Sequence, residues 1–137
     1  MQVKRILETS LDVSDVARSR EFYERVFGFR LIFAGEPRLN ALSVNDEQVL
    51  LLFAKGQTEA DVQVPGGVIP GHGTEGSTHI AFAIETEEVK EWERHLLAKG
   101  VTLESKVDMP MGGCSLYFRD PDGHLIELAT PGTWPIY

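Results

Sequence analysis

The sequence predicts an α+β domain made of two similar halves, each a strand, a helix and three further strands, with helices on one face of the mixed sheets. Three observations predict it. A period-two stretch followed by a helical stripe and a glycine occurs twice, at an offset of about 71 residues. The second half closes on a strong hairpin signal, Asp120-Pro121-Asp122-Gly123. At 137 residues, 42% hydrophobic and 25% charged, the chain can bury a core without disulfides or a structural metal.

From Ile6 to Val13, Leu7, Thr9, Leu11 and Val13 share one side of a strand while Glu8, Ser10 and Asp12 share the other. A helix follows on the stripe Val16, Tyr23, Val26 and Phe27, with Ser14 or Asp15 to cap it and Gly28 to stop it. Strands are predicted at Arg30 to Ala34, Asn40 to Val44 and Gln48 to Phe53. Together these make module one, about residues 4–54.

Residues 55–77 hold six glycines with Pro65 and Pro70 and show neither period, which predicts a long structureless connection. Its GHGTEG spells a dinucleotide-loop pattern but follows a loop and enters a strand, the wrong context for that motif. Module two spans about residues 78–130. It begins with His79 to Ile84, continues with a helix capped by Thr86 on the stripe Val89, Trp92 and Leu96, and passes Gly100. Strands at Val101 to Lys106, Cys114 to Arg119 and Leu125 to Ala129 complete it, leaving residues 131–137 as a tail that packs or forms an interface.

A net charge of −8, from 21 acids against 13 bases, argues against a nucleic-acid partner. The single cysteine, Cys114, cannot form an internal disulfide and is expected in the core. The stretch MQVKRILETS has no apolar run suited to a signal peptide or membrane span, so no membrane partner and a cytoplasmic location are expected.

A three-residue loop at Asp120-Pro121-Asp122-Gly123 pairs Asp120 with His124 and sets Leu125 opposite Arg119 and Glu127 opposite Tyr117. A two-residue loop would slip the register by one and turn Tyr117 away. With Ile126, Leu128, Ile80, Phe82, Leu7 and Leu11 under the helices, the other face carries Glu8, His79, Glu127 and Tyr117. Two carboxylates and an imidazole on one face form a candidate metal set. Each can also be read as a solvated strand residue.

The stretches ETSLDVSDVARSREFYERVFGF, THIAFAI and SLYFRDPDGHLIELATP resemble the vicinal oxygen chelate superfamily, the group of glyoxalase I, extradiol dioxygenases and bleomycin-resistance proteins. The resemblance covers most of the chain. It implies paired βαβββ modules in a U-shaped cup with helices outside, a homodimer and a small-molecule substrate. It also implies one divalent ion, Mn, Fe, Ni, Co, Zn or Mg, on Glu8, His79 and Glu127. Glu8 stands where the superfamily most often has histidine, and Leu51 where glyoxalase I has glutamate.

The activity so implied is a metal-dependent lyase or isomerase chelating vicinal oxygens, with Glu8 or Glu127 moving a proton. Alternatives are an extradiol-type dioxygenase, to which Tyr117 points by its resemblance to the tyrosine before that group's metal glutamate, and a non-catalytic binder of the bleomycin-resistance type. Leu51 and Phe53 would form an apolar substrate wall. His72 is either a surface residue or an extra base, and Arg119 either steers an anionic substrate or pairs with a carboxylate. His95 and His124 are expected to be exposed and without a role.

Overall fold

The computed structural model describes residues 2–137. They form two compact units, one ending at Gly76 and the other spanning Ser77–Tyr137. Each is a βαβββ module built on a four-stranded mixed sheet.

In the first unit β1 (Glu8–Val13) leads into α1 (Val16–Phe27), followed by β2 (Arg30–Gly35), β3 (Leu39–Val44) and β4 (Gln48–Ala54). The sheet order is β1-β4-β3-β2, with β1 parallel to β4 and the remaining pairs antiparallel. Asp15 is extended and its carboxylate accepts from the Arg18 backbone N–H at 2.9 Å, satisfying one of the free donors of the first turn. Gly28 closes the helix at φ 71°, a left-handed conformation that only glycine adopts without strain.

Helix α1 buries Val16, Phe22, Tyr23 and Val26, and the sheet presents Leu42, Leu50 and Leu52, each fully buried. On β4 the neighbours Val49 and Leu51 are only half-buried, as the two-residue alternation of a strand requires.

The connection after β4 is not structureless. It contains a hairpin, β5 (Val62–Val64) and β6 (Gly67–Ile69), closed around Pro65-Gly66. Too short to show a period, these strands are held by backbone pairing instead. The segment beyond them is tied back by Gly71 N–H donating to the Asp61 carboxylate at 2.9 Å and His72 N–H donating to the Thr58 carbonyl at 2.7 Å. Gly71 is obligatory here, because a Cβ would sit 2.1 Å from the Glu59 carbonyl oxygen.

The second unit runs β7 (His79–Ala83), a 3₁₀ turn (Thr86–Glu88), α2 (Val89–Ala98), β8 (Leu103–Asp108), β9 (Cys114–Arg119) and β10 (Leu125–Ala129). Its sheet order, β7-β10-β9-β8 with β7 parallel to β10, repeats that of the first unit. The cap is not Thr86 but Glu85, whose capping box with Glu88 starts the 3₁₀ turn. Val101 is not in a strand. Its N–H donates to the Leu96 carbonyl and that of Gly100 to Leu97, a Schellman closure that buries Val101 against the helix end and delays β8 to Leu103.

The β9–β10 hairpin has three loop residues, with Asp120 N–H donating to His124 carbonyl at 3.2 Å and Gly123 at φ 82°. Leu125 lies opposite Arg119 and Glu127 opposite Tyr117. The core beneath is Leu116, Phe118, Ile126 and Leu128. Among the described residues no helix is long and apolar enough to cross a membrane.

Truncating Leu128→Ala in this core is expected to lower stability by about 2–5 kcal/mol. Asp15→Ala at the α1 cap should cost about 1 kcal/mol. Equilibrium urea unfolding measures both, and the larger loss must belong to Leu128.

Candidate metal centre

Parallel pairing sets His79, the first residue of β7, beside Leu125, and so places Glu127 two residues further along the adjacent strand. The pair meets: His79 Nε2 is 3.0 Å from Glu127 Oε2. The carboxylate is 6% exposed by residue, whereas the imidazole stands open at the sheet edge. Across the hairpin, Tyr117 Oη donates to Glu127 Oε1 at 3.0 Å. Burial pushes the Tyr117 phenol up, opposed by the neighbouring Ser115 hydroxyl and aided by the bond to Glu127, so the hydroxyl stays a donor at neutral pH.

The other ring nitrogen, Nδ1, lies 3.2 Å from the Leu125 carbonyl oxygen. A carbonyl can only accept, so Nδ1 must carry a proton. In the neutral ring Nε2 then turns a lone pair towards a carboxylate oxygen. Only a second proton or a cation between them makes that contact attractive.

Glu8 is the exposed first residue of β1 and belongs to the other unit. Among the described residues no group of three or more His, Cys, Asp or Glu side chains is gathered to hold a metal. The structure thus brings together His79, Glu127 and Tyr117.

Two other candidates meet in the first unit, where the His72 ring stands edge-on to Phe53 at 5.2 Å between centroids. Phe53 is buried and Leu51 half-buried. His72 also lines a cavity of about 280 Å³ with Asp12, Glu59, Thr74 and Glu75. Arg119 takes the plainer of its two readings: its Nε lies 3.2 Å from both carboxylate oxygens of Glu104, and Nη1 donates to the Gly123 carbonyl.

Some residues differ from expectation. His124 is not exposed but fully buried, because its ring is drawn under the hairpin to Thr78. His95 is half-buried, edge-on to Trp92 at 5.3 Å. Cys114 is half-buried at the start of β9 and not in the core. Asp12, to which the sequence assigned no role, is buried and accepts from the Thr74 N–H at 2.7 Å and hydroxyl at 3.0 Å. Its sharing of Glu8's strand face was the one sequence signal available.

Comparison with known proteins bears on this geometry. The profile of the Glyoxalase/Bleomycin resistance protein/Dioxygenase superfamily matches residues 5–128. The chain is 31% identical over 131 residues to the metallothiol transferase FosB of Lysinibacillus sphaericus, covering 95% of this chain and 84% of that protein. It is 29% identical over 143 residues to the lactoylglutathione lyase GLX1 of Arabidopsis thaliana, covering 96% of this chain and 46% of that longer protein. Among solved structures, a lactoylglutathione lyase from Agrobacterium tumefaciens superimposes with a TM-score of 0.90 at 30% identity, covering 99% of this chain and 100% of that one.

Cys114 offers a check on its local environment, because burial pushes its thiol up. Its alkylation by iodoacetamide at pH 8, followed by intact mass, should be several-fold slower than that of free cysteine. An equal or faster rate would contradict the burial.

Proposed function

Since the chain belongs to the Glyoxalase/Bleomycin resistance protein/Dioxygenase superfamily, we propose that it is a metal-dependent, glyoxalase-like enzyme of the lyase or isomerase kind. It acts on a small substrate with vicinal oxygens. The observation that carries this reading is the His79–Glu127 contact at 3.0 Å, with Nδ1 already committed to a carbonyl. A neutral imidazole nitrogen and a carboxylate oxygen this close would hold a divalent ion jointly, which would also relieve the contact of lone pair with carboxylate.

In this reading Glu8 would be the third ligand, and a divalent ion held by three protein donors would still be open to water or a bidentate substrate. The ion, when bound, would supply Lewis-acid polarisation of the substrate's oxygens, milder than in a site with two histidines because two ligands are anionic. Leu125 orients the imidazole and Tyr117 holds one oxygen of Glu127, the kind of outer bonding that tunes metal ligands. With both oxygens of Glu127 so engaged, Glu8 is the carboxylate we assign to proton movement. Leu51 and Phe53 form the apolar wall for the substrate, with His72 beside them. The working form is a homodimer, which sedimentation velocity checks.

A second reading, metal-dependent transfer of a thiol to an electrophile, is favoured by the similarity to FosB proteins, which are named metallothiol transferases. The assays separate the two. Formation of lactoylglutathione from methylglyoxal and glutathione supports the first, and thioether formation with an alkylating electrophile, without lactoylglutathione formation from methylglyoxal, supports the second. Oxygen uptake with a catechol would move the assignment to an extradiol-type dioxygenase.

Metal content by inductively coupled plasma mass spectrometry, on protein purified without a metal-affinity tag, comes before any assay. About one ion per chain is expected, lost in Glu8→Gln, His79→Gln and Glu127→Gln. A chain that takes up no ion from a panel of divalent metals overturns the enzyme reading and leaves a small-molecule binder. Tyr117→Phe should retain the site with affinity about 10–100-fold weaker, by calorimetric titration with Mn²⁺.

A further inference from the structure

We infer that His124 is a positioning residue for His79, acting through Thr78; the inference rests on the metal-centre reading above. His124 ends the β9–β10 turn and is 0% exposed. Its Nδ1 accepts from the Thr78 backbone N–H at 3.1 Å and lies 3.1 Å from the Thr78 hydroxyl. Because a backbone N–H can only donate, Nδ1 is the unprotonated nitrogen and the ring is an acceptor at this atom.

The position of this contact gives it consequence. Among the described residues β7 is an edge strand, paired only with β10, and its first residue is His79. Strand ends at a sheet edge open at little cost in free energy, so a ligand there needs an anchor if it is to stay in place. Thr78 is doubly anchored: its carbonyl accepts from Leu125 N–H at 2.8 Å, and its N–H is held by the His124 ring. The Leu125 carbonyl in turn bonds the His79 imidazole. His124 itself is fixed by its own N–H donating to Asp120 Oδ1 at 2.9 Å, within a turn whose Asp120 is also buried. One line of bonds thus runs from the Asp120 turn through His124 and Thr78 to the backbone that carries His79.

The first unit provides an internal comparison. Glu8 pairs with Val49 as His79 pairs with Leu125, so Leu7 and Gln48 occupy the places of Thr78 and His124. The carbonyl half of the anchor recurs, Val49 N–H donating to the Leu7 carbonyl at 3.0 Å, but Leu7 is 59% exposed and apolar and Gln48 is exposed, so the side-chain half does not. It is built only in the unit that contributes the imidazole. A purely structural need of the βαβββ module would have called for it twice.

The test compares His124→Leu, which removes the acceptor, with His124→Asn, whose Oδ1 can replace Nδ1. Hydrogen exchange of the Thr78 amide in metal-free protein, Mn²⁺ affinity by calorimetry and the urea midpoint are measured in each. Leucine should speed Thr78 exchange at least about tenfold beyond any change in global stability and weaken Mn²⁺ binding about 10–100-fold, while asparagine restores most of both. Unchanged affinity in His124→Leu, or an asparagine variant no better than leucine, overturns the inference while the metal reading stands. Wild-type protein that binds no Mn²⁺ or other divalent ion removes the metal reading and this inference with it. Should the leucine variant not fold, His124→Gln, whose amide falls nearer the place of Nε2 than of Nδ1, replaces it in the comparison with asparagine, since it too leaves the Thr78 N–H without its acceptor.

Discussion

Parallel pairing of the first strand with the last is the constraint on which both units depend. Two parallel neighbours cannot be joined by a tight turn, so the chain between them must travel, and α1 and α2 begin that crossover. The helices then cover the face where Leu50 and Leu52, or Ile126 and Leu128, are buried, and leave the other face open to chemistry. In the second unit this register puts an edge-strand imidazole within reach of a mostly buried carboxylate. In the first, the equivalent positions hold Glu8 and Leu51, so that unit offers one donor beside an apolar side chain.

The donors are therefore unequal in setting. Glu127 has its oxygens engaged by His79 and Tyr117 and sits in a dry environment, where an unpaired carboxylate is costly. His79 is open to solvent yet oriented by a backbone carbonyl, which fixes its tautomer before any ion arrives. Glu8 is exposed at a strand end and keeps its side-chain freedom.

The connection between the modules belongs to the same physical account. Its glycines do not make it loose: the β5–β6 hairpin, the close approach at Gly71 and the two bonds from Thr74 to Asp12 hold its returning arm against the first sheet. That arm brings His72 onto Phe53. Asp12 can do this because it lies on the face of β1 that α1 does not cover, four residues from Glu8.

Much of the fold was legible in the sequence because it is governed by short-range energetics. Two-residue alternation, the helical stripes, the Asp15 cap, Gly28 and the Asp120-Pro121-Asp122-Gly123 turn each depend on a few neighbouring residues, and the turn alone fixes Tyr117 opposite Glu127. What the sequence could not determine depends on partners distant along the chain. His124 follows a turn and reads as a surface residue until Thr78, just before β7, offers it two donors. Arg119 could face a substrate or a carboxylate until the β8–β9 pairing brings Glu104 to it. The sequence by itself determined the strands and helices of the two βαβββ modules, though not the β5–β6 hairpin between them, and the residue types that could bind an ion. The tertiary structure decided which of them meet, because hydrogen bonds between remote segments have no local periodic signature.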